Sequence, residues 1–131
     1  MPGYSSKALI DKLGVRPGMR AIFINAPNEY FEALGPIPNV ETVDTGAADF
    51  IHAFYTNRDE LVADYPRIQR DLADGGTVWI SWPKKSSRIP ANIGEQDLRD
   101  ILLPTGLVDT KVAAVTDIWS GLKFQRRRPK P

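Results

Sequence analysis

The apolar residues of this chain fall into short blocks that polar and turn-forming residues separate. Two blocks, residues 20–24 and 48–55, are almost uninterrupted apolar runs, which is the pattern of strands buried on both faces of a parallel sheet. From Leu61 to Leu72 the apolar side chains instead recur every three or four positions, which predicts an amphipathic helix. This alternation is typical of an α/β protein.

The boundaries of this helix follow from its capping and breaking residues. The spacing Asn57-x-x-Glu60 is that of a capping box in the first turn, and Pro66 is expected to kink the helix or divide it in two. Gly75-Gly76 is predicted to end the helix, and residues 77–82 are predicted to form the next strand.

Two shorter helices are predicted in the N-terminal part. The first is capped by Ser5 or Ser6 and ends at Gly14, and the second opens at Asn25-Ala26-Pro27 and closes at Gly35-Pro36. The side chains expected to face the core from these two helices are Leu9, Ile10, Leu13, Tyr30, Phe31 and Leu34.

The C-terminal part begins with the longest predicted loop, residues 83–94. The spacing Asn92-x-x-Glu95 predicts the cap of a further helix, which Pro104 ends. Residues 107–115 and 119–125 then form two strands, and their connection is too short for a parallel crossover. These strands are therefore predicted to form an antiparallel hairpin.

Together these elements predict a three-layer α/β sandwich with a mostly parallel sheet and a C-terminal antiparallel hairpin. One connection does not fit this picture. Only about six residues join a weak strand at 40–43 to the strand that begins near Asp49, whereas a parallel crossover needs about a dozen. Either the weak strand is antiparallel or marginal, or a helix has been lost here.

Length and composition limit the class of protein. With 131 residues, the chain is expected to form one domain over residues 1–125. It has no apolar run long enough to span a membrane and no signal-peptide core, so we expect a cytoplasmic protein. There is no cysteine, and His52 is the only histidine, so we predict no metal site.

The formal net charge of +1 is unevenly distributed, because the last six residues contribute +4 and residues 1–125 sum to −3. We expect the basic tail, residues 126–131, to be disordered and solvated. No basic face with interleaved aromatic residues is evident along the chain, which argues against a dedicated nucleic-acid protein.

Several segments resemble known families. The glycine pair and strand in Leu72–Ile80, together with the C-terminal hairpin, resemble the late turn-and-strand and the closing hairpin of the class I methyltransferase fold. Residues 12–19, 48–52, 82–85 and 119–124 are similar, in the same order, to the bacterial domain-of-unknown-function 3052 family. The resemblance implies a shortened, Rossmann-like methyltransferase fold, and it brings no assigned activity.

The loop after the first strand departs from the methyltransferase pattern. S-adenosylmethionine and dinucleotide sites have glycines there, so that the backbone can approach the ligand. Residues 25–29 contain no glycine. Asp44 could be the acidic residue expected after the second strand, but beside Gly46 it is equally a turn residue. We therefore predict no cofactor.

The candidate site lies beyond the carboxyl ends of the strands, where open α/β sheets bind ligands. Polar side chains there would line one pocket suited to a phosphate or carboxylate. Alternatively, the asparagines cap helices and the lysines are merely solvated. The candidate ligand-binding residues are Asn25, Glu29, Asn57, Lys84, Lys85, Trp119 and Ser120.

No complete catalytic motif is present. His52 lies in an apolar strand and is expected to be a hydrogen-bonded core residue, unless Asp49, Asp109 or Asp117 approaches it. Ser120 lacks a base that would activate it as a nucleophile. The three tryptophans either stack a planar ligand or fill the core.

The sequence thus favours a non-catalytic binding or regulatory module whose partner is a protein or a small molecule. The alternative is an enzyme or sensor that binds an anionic or nucleotide-like molecule above the carboxyl edge of the sheet. A third hypothesis, which the charge distribution disfavours, is nucleic-acid association through the tail and the Lys84–Arg88 loop. The hairpin edge offers a surface for a homodimer.

Overall fold

The computed structural model describes residues 8–37 and 39–126, in which strands and helices alternate. Two short 3-10 helices, Lys85–Ser87 and Leu103–Thr105, complete the secondary structure. The main elements, in chain order, are α1 (Leu9–Leu13), β1 (Arg20–Ile24), α2 (Asn28–Leu34), β2 (Glu41–Thr42), β3 (Ala48–Phe54), α3 (Arg58–Asp71), β4 (Leu72–Pro83), α4 (Glu95–Leu102), β5 (Leu107–Ala114) and β6 (Trp119–Arg126).

All six strands belong to one mixed sheet in the order β2-β1-β3-β4-β6-β5. Strands β2, β1, β3 and β4 are parallel, and β6 runs antiparallel to both β4 and β5. This arrangement confirms the predicted α/β class, with a mostly parallel sheet that ends in an antiparallel hairpin.

The core lies in two layers, one on each face of the sheet, because the central strands bury both of their faces. In β3, Ile51 and Ala53 pack with residues of α3 and α4. Phe50 and Phe54 point the other way and pack with residues of α1 and α2. The near-continuous apolar run predicted this placement correctly.

Strand β2 is shorter than predicted and is parallel to β1. It pairs only with Arg20 and Ala21. Strand β3 joins β1 at the same level, since Phe50 lies opposite Ala21 in the register. The connection between β2 and β3 therefore only has to cross β1 near its first residue, where the backbone N–H of Arg20 donates to the Asp49 carboxylate at 3.0 Å. This is why no crossover helix is needed.

Helix α3 differs from its prediction at Pro66 and at its end. It continues through Pro66 as one helix and stops at Asp71, so Gly75-Gly76 does not end it. The glycines instead lie inside β4, after Leu72 has already paired with Ala48. A Cβ on Gly76 would lie 2.8 Å from the Ala73 carbonyl oxygen, so the irregular start of β4 requires a glycine here.

Two helix caps also differ from their predictions. The N-cap of α4 is Gly94, whose N–H donates to the Asp97 carboxylate at 2.9 Å, and not Asn92. The N-cap of α1 is Ala8, and the predicted capping residues Ser5 and Ser6 lie outside the described residues. The predicted end of α1 at Gly14 is confirmed by its left-handed conformation, with φ 84°.

Arg126, assigned to the tail from the sequence, is the last residue of β6. Its guanidinium donates to the carbonyl oxygens of Leu72 at 2.6 Å and Gln69 at 2.8 Å, at the end of α3. The rest of the predicted tail, residues 127–131, lies outside the described residues. No helix of the described chain is both long and apolar enough to cross a membrane.

Candidate functional site

The sheet changes direction between β1 and β3. From β1 the chain goes outward to β2, and it then returns to β3 on the other side of β1. In open α/β sheets, the crevice above the carboxyl ends of two such strands is the usual ligand site. The candidate site is therefore the space above Ile24 and Phe54, where β1 and β3 end.

A side chain bridges this crevice. Asn25 directly follows β1 in the left-handed conformation, with φ 57°, which asparagine tolerates better than most other non-glycine residues. Its Nδ2 donates to the carbonyl oxygen of Phe54 at 3.1 Å and so joins the ends of β1 and β3. Asn25 is not a helix cap, because α2 has Pro27 at its N-cap. It adopts a conformation typical of glycine but places a side chain where a ligand would lie.

The N-terminus of α3, on the other side of the crevice, is closed by asparagines of the same chain. Asn57 Oδ1 accepts from the Glu60 N–H at 3.2 Å, which confirms Asn57 as the predicted cap. Asn92 Oδ1 accepts from the Arg58 N–H at 2.7 Å, and the Asn92 N–H donates to the Thr56 carbonyl oxygen at 3.0 Å. Two amide groups of the first turn therefore already have partners.

Lys84, the first lysine of the long loop, turns away from the crevice. Lys84 Nζ donates to the Thr116 carbonyl oxygen at 2.7 Å, and the Lys84 N–H donates to the Ile118 carbonyl oxygen at 2.8 Å. Lys84 thus ties the end of β4 to the turn between β5 and β6. Lys85 is exposed in the 3-10 helix that follows, and Glu29 is half-buried in the first turn of α2.

Four of the candidate residues, Asn25, Asn57, Lys84 and Lys85, line three separate depressions along the carboxyl edge, and Glu29, Trp119 and Ser120 do not line these depressions. The first, about 320 Å³, is lined by residues 22–24, Asn25, Asp44 and Arg67. The second, also about 320 Å³, includes Asn57. The third, about 180 Å³, includes the lysines and is lined by Trp82, Pro83, Lys84, Lys85, Ile89, Ala91, Ile93 and Gly94. The structure thus divides the predicted polar pocket among three shallow sites.

Trp79 and Trp119 are buried in the core, Trp82 is half-buried, and the three do not form one stacking surface. Trp79 is fully buried, and its indole N–H donates to the Leu13 carbonyl oxygen at 2.9 Å. Trp119 packs edge-on against Phe54 with ring centroids 5.3 Å apart. Trp82 lies on the opposite face of the sheet, against the layer under α3 and α4. Ser120, next to Trp119, is half-buried on β6.

His52 forms the centre of a buried hydrogen-bond network. Its Nδ1 lies 2.9 Å from the Tyr30 hydroxyl and its Nε2 lies 2.8 Å from Ser81 Oγ, and all three residues are 0% exposed. Burial lowers the pKa of His52 to about 3, and burial raises the pKa of Tyr30. His52 is therefore neutral, and it satisfies two buried hydroxyls as the core interpretation predicts.

This network pairs a serine with a histidine, but it is enclosed. His52 stacks on Phe54 with ring centroids 4.3 Å apart and an interplanar angle of 17°. A Cβ on Gly121 would lie 3.2 Å from Ser81 Oγ, so the neighbouring strand leaves no space beside that hydroxyl. The sequence did not identify Ser81 and Tyr30 as the partners of His52, because only the packing of α2 and the register of β3 against β4 bring them to it.

Comparison with solved structures shows a shared fold. The chain is similar to a SAM-dependent methyltransferase from Aquifex aeolicus, with TM-score 0.60 and 14% identity over 89% of this chain and 87% of that one. It is similar to fibrillarin from Aeropyrum pernix, solved with natively bound S-adenosylmethionine, with TM-score 0.60 and 13% identity over 89% and 72% of the two chains. A SAM-dependent methyltransferase from Mesorhizobium loti gives TM-score 0.58 and 10% identity over 91% and 96%.

These likenesses define the class of the protein as an α/β protein with a methyltransferase-like fold. At identities of 10–14% they concern the fold alone. No family model matches the chain, and no curated protein is similar to it in sequence.

Proposed function

We propose that this protein is a non-catalytic binding module built on a methyltransferase-like fold. The observation that carries the proposal is the hydrogen bond from Asn25 Nδ2 to the Phe54 carbonyl oxygen, at 3.1 Å, across the crevice where open α/β sheets bind ligands. Two amide groups in the first turn of α3, those of Glu60 and Arg58, also donate to side chains of the chain itself, Asn57 and Asn92.

The enclosed hydroxyl network supports the same proposal. A nucleophilic mechanism needs a serine beside a base and also access to the substrate. Ser81 and His52 meet the first condition, with 2.8 Å between Oγ and Nε2, but both are 0% exposed. Their contacts support a role in stabilising the core.

The proposal predicts that S-adenosylmethionine and S-adenosylhomocysteine leave the melting temperature unchanged. A ligand that bound at about 100 times its dissociation constant would add about 2.7 kcal/mol, or several degrees for a domain of this size. Thermal unfolding of the full chain with each compound measures this, with an S-adenosylmethionine-binding methyltransferase as the positive control. Asn25→Gly, which keeps the backbone conformation and removes the bridging amide, is the matched variant.

A shift of several degrees with the wild-type chain, or methyl transfer from S-adenosylmethionine, would contradict the proposal. The Asn25→Gly variant assigns such a signal to its source. A signal that changes with this substitution belongs to the crevice, whereas one that does not change comes from a different site or a copurifying enzyme.

A second candidate function is binding of a nucleotide-like anion at the first depression. The observation that favours it is that Asn25, Asp44 and Arg67 all line the same space of about 320 Å³, which is large enough for a small ligand. A carboxylate in this position can accept from ribose hydroxyls, and a guanidinium can hold a phosphate. Within the described part of the chain, no carboxylate forms an ion pair with Arg67.

For this second function, adenosine monophosphate is expected to raise the melting temperature of the wild-type chain, and Arg67→Gln is expected to abolish the increase. Arg88→Gln removes the same charge from a different loop and should leave the increase intact. Thermal unfolding over a range of nucleotide concentrations measures all three. If adenosine monophosphate does not change the melting temperature of the wild-type chain, or if the two substitutions change its effect equally, nucleotide binding at the first depression is wrong.

We further infer membership of the bacterial domain-of-unknown-function 3052 family from the four segments at residues 12–19, 48–52, 82–85 and 119–124. The cytoplasmic location stays a prediction. Homodimerisation through the hairpin also stays a prediction, and it is supported by the position of β5 at the edge of the sheet.

A further inference from the structure

The cations in the described part of the chain differ in whether a carboxylate forms an ion pair with them. Four arginines in the described chain form ion pairs with carboxylates within 4.0 Å, namely Arg20, Arg58, Arg70 and Arg99. Another group lies together on the α1 side of the C-terminal hairpin, and in the described residues none of its members forms an ion pair. We call this group the hairpin cation cluster; its members are Lys12, Arg16, Lys111 and Lys123.

Two of these cations are direct neighbours across the hairpin. Lys111 on β5 lies opposite Lys123 on β6 in the antiparallel register. Directly opposite side chains have Cβ atoms about 5 Å apart, and like charges in such a pair are destabilising. Lys111 is exposed, whereas Lys123 is half-buried. The chain therefore keeps an unfavourable pair in which one member cannot fully move its charge into solvent.

Helix α1 and the segment that follows it bring the other two cations, Lys12 and Arg16, to the same side of the hairpin. The Leu13 carbonyl oxygen accepts from the indole N–H of Trp79, which lies opposite Lys123 in the β4–β6 register. Lys12 Nζ reaches the Ala114 carbonyl oxygen of β5 at 3.4 Å. Burial lowers the pKa of Lys123, and the charges of Lys111 and Arg16 lower it further. Lys111, Lys123 and Arg16 thus interact electrostatically, and Lys12 is held at the same hairpin by its hydrogen bond to Ala114.

The acidic residues nearest in the chain form no ion pair with these cations in the described residues, although Asp11 lines the same surface depression as Arg16. Asp109 on β5 is held by Arg99 at 2.9 Å on the opposite face of the sheet, where Phe124 is its register partner. Asp11 on α1 and Asp117 in the β5–β6 turn are exposed, and neither forms an ion pair within the described residues. An external anion would therefore stabilise an arrangement that the chain itself leaves uncompensated.

We propose that the hairpin cation cluster binds the phosphodiester backbone of a nucleic-acid duplex without reading its bases. Several long cations on one face match a row of phosphates, and such contacts position a protein without conferring sequence specificity. Trp119 and Phe124, the aromatic residues of the two hairpin strands, are buried, so these strands present no exposed ring on which an unpaired base could stack, which favours a duplex over a single strand. Three of the four members are lysines, which are depleted from the cores of protein interfaces, so the cluster does not fit such a core.

This inference gives the binding module proposed above a partner, but it does not depend on the absence of catalysis. Methyl transfer from S-adenosylmethionine would contradict the proposed function but not the proposal that the cluster binds a duplex. Failure to bind a duplex would contradict the proposal for the cluster but not the proposed function.

The test is fluorescence anisotropy of a labelled 24-base-pair DNA duplex with the full chain over a series of KCl concentrations. The logarithm of the binding constant falls with the logarithm of salt concentration by about 0.9 for each phosphate contact. The double substitution Lys111→Gln with Lys123→Gln should therefore reduce the slope by about 1.8. A duplex RNA of the same length should show the same reduction, because the contacts are to the backbone.

Two charge-matched double variants are the controls. Lys85→Gln with Arg88→Gln removes two charges from the carboxyl-edge loop, and Arg127→Gln with Arg128→Gln removes two from the terminal segment. The proposal requires that the Lys111 and Lys123 variant lose more of the salt slope than the carboxyl-edge variant. The terminal variant measures how much residues 127 and 128 contribute to the salt slope of the wild-type chain. Any such contribution leaves the reduction in slope caused by the Lys111 and Lys123 substitutions unchanged.

Equal losses in the cluster and carboxyl-edge variants, or no duplex binding at low salt, would overturn the proposal. Binding only to single strands or only to an acidic polypeptide would also overturn it. The melting temperature of the cluster variant is an independent readout and should stay equal or rise, because the repulsion between Lys111 and Lys123 is removed. If it falls, Lys111→Gln alone, at an exposed position, must still reduce the slope by about 0.9.

Discussion

Lowering the pH from 7 to 5 is expected to reduce the free energy of unfolding by about 2 kcal/mol, because His52 takes up a proton only in the unfolded chain. In the folded protein, burial lowers the pKa of His52 to about 3, whereas an exposed histidine has a pKa of about 6.5. Between these values the unfolded state binds more protons than the folded state. Stability is therefore fully present above pH 6.5 and decreases as the pH falls towards 3.

The pH window isolates His52 because it is the only histidine of the chain and most carboxylates titrate lower. The Arg99 guanidinium, for example, lowers the pKa of Asp109 below its ordinary value. Urea unfolding at pH 7, 6 and 5 gives the measurement. His52→Gln is the control, because its amide can still bond to Tyr30 and Ser81 but does not titrate.

A wild-type free energy that stays constant between pH 7 and 5 would show that the His52 network opens readily to solvent. A pH dependence that survives unchanged in His52→Gln would show that a different group is responsible. Either result would contradict the fully buried network described here.

Replacing Trp79 by alanine is expected to reduce the free energy of unfolding by about 3–5 kcal/mol. The side chain is 0% exposed and lies in the layer under α1 and α2. Its indole N–H also supplies the hydrogen bond to the Leu13 carbonyl oxygen, at 2.9 Å, that fastens α1 to the sheet. The substitution therefore creates a cavity and also leaves a carbonyl at the helix end without its partner.

Urea unfolding of two further variants separates these effects. Trp79→Phe keeps much of the buried ring but loses the N–H donor, so it should cost less, about 1–3 kcal/mol. Trp82→Ala removes a half-buried tryptophan from the opposite face and should also cost less than Trp79→Ala. A Trp79→Ala loss no larger than that of Trp82→Ala would be inconsistent with the packing of Trp79.

Local patterns along the chain were enough to predict most of the secondary structure. The apolar run at 20–24 and the helical spacing after Asn57 depend on neighbours within a few positions, and both elements form as predicted. The failures have non-local causes. Asn92 matches the local pattern of a cap for α4, yet its side chain accepts from Arg58, 34 positions away. Gly75-Gly76 matches the local pattern of a helix end, yet β4 already begins at Leu72, before these glycines, because Leu72 pairs with Ala48.

The same distinction applies to the candidate site. The rule for open α/β sheets correctly places Asn25, Asn57 and Lys84 at loops on the carboxyl edge, because that follows from element order alone. It does not say where the side chains point. Asn25 turns to the Phe54 carbonyl oxygen and Lys84 turns to that of Thr116, so the predicted pocket divides.

The sequence by itself determined the α/β class, the near-complete burial of β3 and the core position of His52, because each follows from local apolar patterning. The tertiary structure alone decided that Ser81 and Tyr30 are the partners of His52. It alone also placed Lys111 opposite Lys123, with α1 beside them. The physical reason is that periodicity selects which face of an element is buried, whereas contacts between elements depend on strand register and helix docking, which the whole folded chain sets at once.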